Sequence, residues 1–147
     1  MNATANIPVG ASASQSIEVT REMTVAHFYP HMPEAFGTPM MIYLMEVAAA
    51  AAIERYLPAG WVSVGAVVNV RHLAATPLGF KVTARAEVTS ISDHLVTFAV
   101  EAHDEVEKIG EGIHVRAPVE MKRFERGMKV KAAKRDEGSP QIERQEA

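Results

Sequence analysis

A carboxylate interrupts the longest apolar run of the chain: Glu46 lies within residues 39–53, PMMIYLMEVAAAAAI. At 3.6 residues per turn, Ile42, Met45, Ala49 and Ile53 share one helical stripe, and Glu46 sits beside them. Burying a charge is costly, so such groups are paired, hydrogen-bonded or protonated. Either Glu46 does chemistry as a base or nucleophile, or it turns to a flank of the helix and reaches water. Periodicity alone leaves these two readings level.

Six histidines raise the question of a metal. His27 and His31 are four apart, but Pro30 between them breaks the helix that such a ligand pair needs. His94 opens a strand after a turn, and His103 and His114 belong to separate strands, where they read as surface or rim residues. No metal site is expected. His72 differs, because it ends an apolar strand, residues 64–72, just before the loop LAATPLG. There it either faces a cleft, where titration near neutral pH suits acid–base work, or is an edge histidine with its hydrogen bonds met. Thr38 reads as an N-cap, with Pro39 at the first helical position, and its hydroxyl and the N–H groups after it make an anion-friendly spot. Gly65 breaks a valine-rich strand, which implies a bulge or a close approach of the backbone to a neighbour.

The elements that must position these residues follow from the change of period. Residues 1–15 are small and polar and read as a disordered leader, and a first strand is predicted over 16–24. A loop with Pro30 and Pro33 precedes the helix, which runs from Thr38 to about Leu57 and is stopped by Pro58 and Gly60. Four β-rich runs then follow, over 63–73, 79–91, 94–103 and 108–124, separated by short turns and predicted to pair as a meander. Residues 125–147 form a charged tail that is partly helical or disordered. The expected fold is α+β: a curved antiparallel sheet wrapped around one long central helix, the hotdog architecture, over residues 16–124. The alanine run lets the helix approach that sheet closely.

Composition narrows the function. A chain of 147 residues with 48% hydrophobic and 22% charged residues suits one soluble domain. Its formal net charge of -3 argues against a nucleic-acid partner, and the absence of cysteine excludes disulfides, thiolate nucleophiles and Cys-based zinc sites. The apolar run is too short to span a bilayer, and no secretory pattern opens the sequence, so no membrane association and a cytoplasmic setting are expected.

Four stretches carry a resemblance: residues 38–46 (TPMMIYLME), Gly65 followed seven residues later by His72, residues 72–79 (HLAATPLG), and residues 109–116 (IGEGIHVR). In this order and spacing the chain resembles the fluoroacetyl-CoA thioesterase-like branch of the hotdog thioesterases, over roughly residues 25–124. The resemblance implies hydrolysis of an acyl-CoA thioester by a catalytic set of Thr38, Glu46 and His72, with the Gly65 backbone near the substrate carbonyl and Phe36 and Arg116 on the substrate. Glu46 would attack or activate water, His72 would manage protons, and Thr38 would hold Glu46 or the substrate. Burial strengthens a carboxylate for either role. The resemblance also implies a homodimer or dimer of dimers, with a site at or near the subunit interface. No cofactor is implied, since CoA belongs to the substrate. Two departures stand out. The segment before Thr38 is shorter than the family's phenylalanine-bearing lid and keeps only Phe36, so selection for a fluorinated acyl group is not expected. Thr38 and Glu46 are also roughly 12 Å apart along a continuous helix. The rival readings are a hotdog enoyl-CoA hydratase or dehydratase and a non-catalytic acyl-CoA binding module; Glu46 together with His72 favours catalysis.

Overall fold

A computed structural model describes residues 2–138. Five strands, β1 (Ser12–Glu18), β2 (Trp61–His72), β3 (Lys81–Ser92), β4 (Leu95–His103) and β5 (Lys108–Glu120), form one antiparallel sheet in the order β1-β3-β4-β5-β2. Helix α1 (Val25–Phe28) is a single turn, α2 (Thr38–Ile53) is the long central helix, and α3 (Met121–Asp136) leaves the end of β5. This is the expected hotdog arrangement.

Alternation explains which face of the sheet meets the helix. Val82, Ala84, Ala86 and Val88 of β3 and Val96, Phe98, Val100 and Ala102 of β4 are buried at every second position. The alanines leave room for α2, which packs chiefly against β1 and β3 and buries Met41, Leu44, Met45, Ala48, Ala49, Ala52 and Ile53. Each large side chain so buried contributes about 1.5–3 kcal/mol, which outweighs the polar start of the helix and holds it in place. The β4–β5 turn is fastened by Asp104, whose carboxylate accepts the Val106 and Glu107 N–H groups at 2.8 and 2.9 Å and the Thr76 hydroxyl at 2.9 Å. That last bond ties the loop after β2 to the sheet.

Several boundaries differ from the sequence expectation. The first strand begins earlier than expected, at Ser12 inside the stretch read as a leader, and ends at Glu18 within the predicted strand, because its polar residues pair with β3 from Ser12↔Glu87 to Glu18↔Lys81. Ala3, Thr4 and Ile7 before it are also buried. The predicted four-strand meander holds only for β3, β4 and β5. β2 pairs with β5 instead of β3, since the connection over residues 73–80 carries Pro77 and crosses the sheet end, where Ala35 bridges Pro77. Helix α2 gives way at Glu54–Tyr56 to one 3-10 turn. β5 stops at Glu120 and α3 begins four residues before the predicted tail. α3 buries none of its residues; Arg123, Phe124, Gly127, Met128 and Lys131 line one side of a groove of about 500 Å³ whose other side includes Trp61 and Pro118. Residues 139–147 of the predicted tail lie outside the described residues.

Candidate active site

Gly37, not Thr38, is the N-cap of α2; Thr38 and Pro39 are its first helical residues, and no side chain caps the helix. The physical reason lies across the fold. Thr38 Oγ1 is engaged with His72 Nδ1 at 2.7 Å, so the hydroxyl is not available to the helix N–H groups. His72 is the last residue of β2, held opposite Gly110 of β5. Burial pushes its pKa below the ordinary histidine value, so the ring is neutral near pH 7. Its other nitrogen, Nε2, is buried and has no hydrogen-bond partner among the described residues. If Thr38 donates to Nδ1, Nε2 carries the ring proton; if Nδ1–H donates to Thr38, Nε2 carries a lone pair. In both tautomers the free nitrogen can exchange a proton with a bound reactant.

A second cluster forms two turns further along α2. Glu46 is half-buried and points at β2, where a side chain on Gly65 would place its Cβ 2.9 Å from Glu46 Oε1 and 3.4 Å from His114 Cε1. Gly65 is thus required by close approach, and it opens a bulge: Gly65 pairs with Arg116 and Val67 with Val115, leaving Ala66 unpaired. His114 donates from Nδ1 to the Val67 carbonyl at 2.8 Å, which fixes Nε2 as an acceptor for Arg116 Nη1 at 3.2 Å. Arg116 also donates from Nε to Ser63 Oγ and from Nη2 to the Ser63 carbonyl, both at 2.8 Å. Ser63 and Pro118 are a non-hydrogen-bonded pair of the ladder, so the Ser63 carbonyl faces away from β5 and is free to accept from Arg116.

The electrostatics are concentrated here. Burial is the main force lowering the His114 pKa, with Arg116 adding to it and the Val67 carbonyl and Glu46 opposing. Burial likewise lowers that of Arg116, opposed by the charge of Glu46. Arg116 remains a cation in any case. Among the described residues, Glu46 has neither a hydrogen bond nor an ion pair, although the cation lies close enough to act on it.

Of the residues predicted from sequence, Thr38 and His72 are joined, and Glu46, Gly65 and Arg116 gather at the second cluster. Phe36 is 2% exposed and belongs to the core, because its backbone is pinned between Thr24 and Thr76 at the sheet end. Aromatic surface near Thr38 comes from Phe28 and Tyr29, which with Met23, Val25, Pro39 and Met40 line an apolar cavity of about 340 Å³. His114 was read as a rim residue but is 1% exposed. The signal was present in the alternation of β5, which puts His114, Arg116 and Pro118 on one buried face. Ser63 gave no signal at all.

The fluoroacetyl-CoA-specific thioesterase family model matches residues 19–122. The chain is 38% identical over 122 residues to the fluoroacetyl-CoA thioesterase of Streptantibioticus cattleyicolor, covering 79% of this chain and 88% of that protein. A structure of the fluoroacetyl-CoA thioesterase FlK superposes with a TM-score of 0.79 at 37% identity, covering 84% of this chain and 96% of that one. A thioesterase superfamily member from Thermus thermophilus gives a TM-score of 0.83 at 28% identity, over 90% and 98% of the two chains.

Proposed function

Because the chain belongs to the fluoroacetyl-CoA-specific thioesterase family, we propose that it hydrolyses a small or medium acyl-CoA thioester to the free acid and CoA. The observation that carries this reading is the Glu46 carboxylate seated against the side-chain-free backbone of Gly65. A thioester carbonyl lying along that backbone would present its carbon to Glu46. Glu46 either takes a proton from the attacking water or attacks the carbon itself, giving an anhydride that water then opens. The C–S bond breaks, and the departing thiolate takes up a proton. His72, with its unpartnered Nε2 and its Nδ1 bonded to Thr38, is suited to that transfer. Arg116 offsets the negative charge that develops on the carbonyl oxygen. The reading calls for no metal or redox cofactor.

The acyl group follows from the surface near Thr38. The apolar cavity bounded by Phe28, Tyr29 and Met40 suits an acyl group larger than acetyl, and the shortened segment before Thr38 offers no gate for one fluorine. The working form is a homodimer. Among the described residues β2 is an edge strand with its other side unpaired, and Val67 and Val68 on it are 48% and 43% exposed. Two copies joined antiparallel along β2 would set the His72 end of one strand against the Ser63–Gly65 stretch of the other. That would answer the separation between Thr38 and Glu46 on a single helix. No described helix is long and apolar enough to cross a membrane, and a cytoplasmic setting would give the protein access to CoA thioesters. A panel of acyl-CoAs assayed by free-thiol release tests the activity, and no hydrolysis of any member would overturn it. Light scattering at micromolar concentration tests the dimer, and a monomer would refute it.

A further inference from the structure

We propose that His114 is a positioning residue that keeps Arg116 from collapsing onto Glu46, so that the carboxylate stays unpaired for the reaction; this rests on the thioesterase reading. A buried arginine and a nearby carboxylate ordinarily close into a charge-assisted pair, often a bidentate one. Here they do not, and the geometry shows what holds the guanidinium away. Its Nε and one N–H of Nη2 are directed to the hydroxyl and carbonyl of Ser63, and one N–H of Nη1 to His114 Nε2, which fixes the plane of the guanidinium. The Ser63 carbonyl is open to Nη2 because Ser63 and Pro118 form a non-hydrogen-bonded pair of the ladder, which turns that carbonyl away from β5. The remaining arm is the one His114 controls.

His114 can do this in one protonation state alone. A carbonyl accepts and never donates, so the bond to Val67 puts the ring proton on Nδ1 and leaves Nε2 as the lone pair facing Arg116. A charged ring would set two cations against each other. The charged groups acting on the ring are Glu46 from α2 and Arg116 on its own strand. The ring also stands beside the carboxylate, since Glu46 Oε1 and His114 Cε1 both abut the place where Gly65 lacks a side chain. Without the Nε2 acceptor, Nη1 would turn to the nearest anion, and a paired Glu46 is a poorer base and nucleophile.

Two substitutions separate this role from a structural one. His114→Asn keeps an amide N–H near the Nδ1 position for Val67 and removes the acceptor; His114→Gln places an amide oxygen near Nε2. With the best acyl-CoA, His114→Asn should lose at least about 10-fold in kcat with KM changed less than about 3-fold, at an unchanged or higher melting temperature. His114→Gln should recover most of that loss. In an Arg116→Met background, the further loss from His114→Asn should vanish, because the group that quenches Glu46 is gone. The proposal is overturned if His114→Asn turns over like the wild type, if its loss is undiminished without Arg116, or if neither variant folds. A wild type that releases no thiol overturns the thioesterase reading instead, and that control is read first.

Discussion

Replacing Gly65 by alanine should impair catalysis while sparing the fold. The added Cβ would stand 2.9 Å from Glu46 Oε1, where ordinary contact begins near 3.4 Å, so the oxygen must withdraw by about half an ångström. His114 Cε1, at 3.4 Å, need barely move. The Gly65 backbone is not left-handed, so alanine brings no strain of its own. The clash is with the tip of a flexible side chain, and Glu46 yields by rotating away. Stability should therefore change by less than about 1 kcal/mol, as for surface-like adjustments that leave core packing intact. Catalysis is less forgiving, since misplacing a reacting group by about 1 Å can cost about 10²-fold. We expect kcat for thiol release to fall by about 10- to 10²-fold, with a melting temperature near that of the wild type. Gly112→Ala is the control, because its Cβ would meet backbone instead, 2.2 Å from the Asn69 carbonyl oxygen. That variant should lose stability by about 1–3 kcal/mol, like an overpacked core. A Gly65→Ala enzyme with wild-type kcat would show that Glu46 does not react from its place against β2.

Glu46→Gln keeps the shape and removes the charge, and kcat should drop by at least about 10²-fold; turnover near the wild-type rate would make Glu46 a mere core carboxylate. Burial holds His72 and His114 below the usual histidine value of 6.5, so the unfolded chain takes up protons that the folded chain refuses as pH falls past that point. Melting temperature should therefore be flat above about pH 6.5 and decline as pH falls through the lowered values, with a shallower decline in His114→Gln; a rise on acidification would refute it. Values of kcat/KM for fluoroacetyl-CoA and acetyl-CoA should differ by far less than about 10³-fold, and a larger ratio would mean that a gate for the fluorinated group exists elsewhere in the chain.

Much of this was legible because it is local. The run from Pro39 to Ile53 announces a buried helix, Glu46 announces an exception within it, and Gly65 among valines announces a close approach. What approaches Gly65 was not legible, since Glu46 and His114 come from 19 residues before it and 49 after it. Spacing along one strand says nothing about register between two. The same limit misplaced β2: short connections favour neighbours, but the pairing of β2 with β5 is set by long-range burial and by a connection that cannot form a hairpin. Thr38 shows a different failure. Its type fits an N-cap, and only the position of His72 explains why the hydroxyl serves the histidine instead. Phe36 is buried in the core, and burial was not legible because an aromatic next to a site is as easily part of the floor that supports it.

The chain carries one tryptophan, and Trp61 stands at the head of β2 on the wall of the groove beneath α3. A helix that buries none of its residues can detach at little cost, well below the free energy of global unfolding. Intrinsic fluorescence therefore reads the undocking of α3 and the loosening of the adjacent strand end, while ellipticity sums α3 with the equally long α2 and the sheet. The protein thus carries its own local reporter. In a denaturant titration the emission of Trp61 should begin to shift before the main cooperative loss of ellipticity, and that interval measures how loosely the last helix is attached.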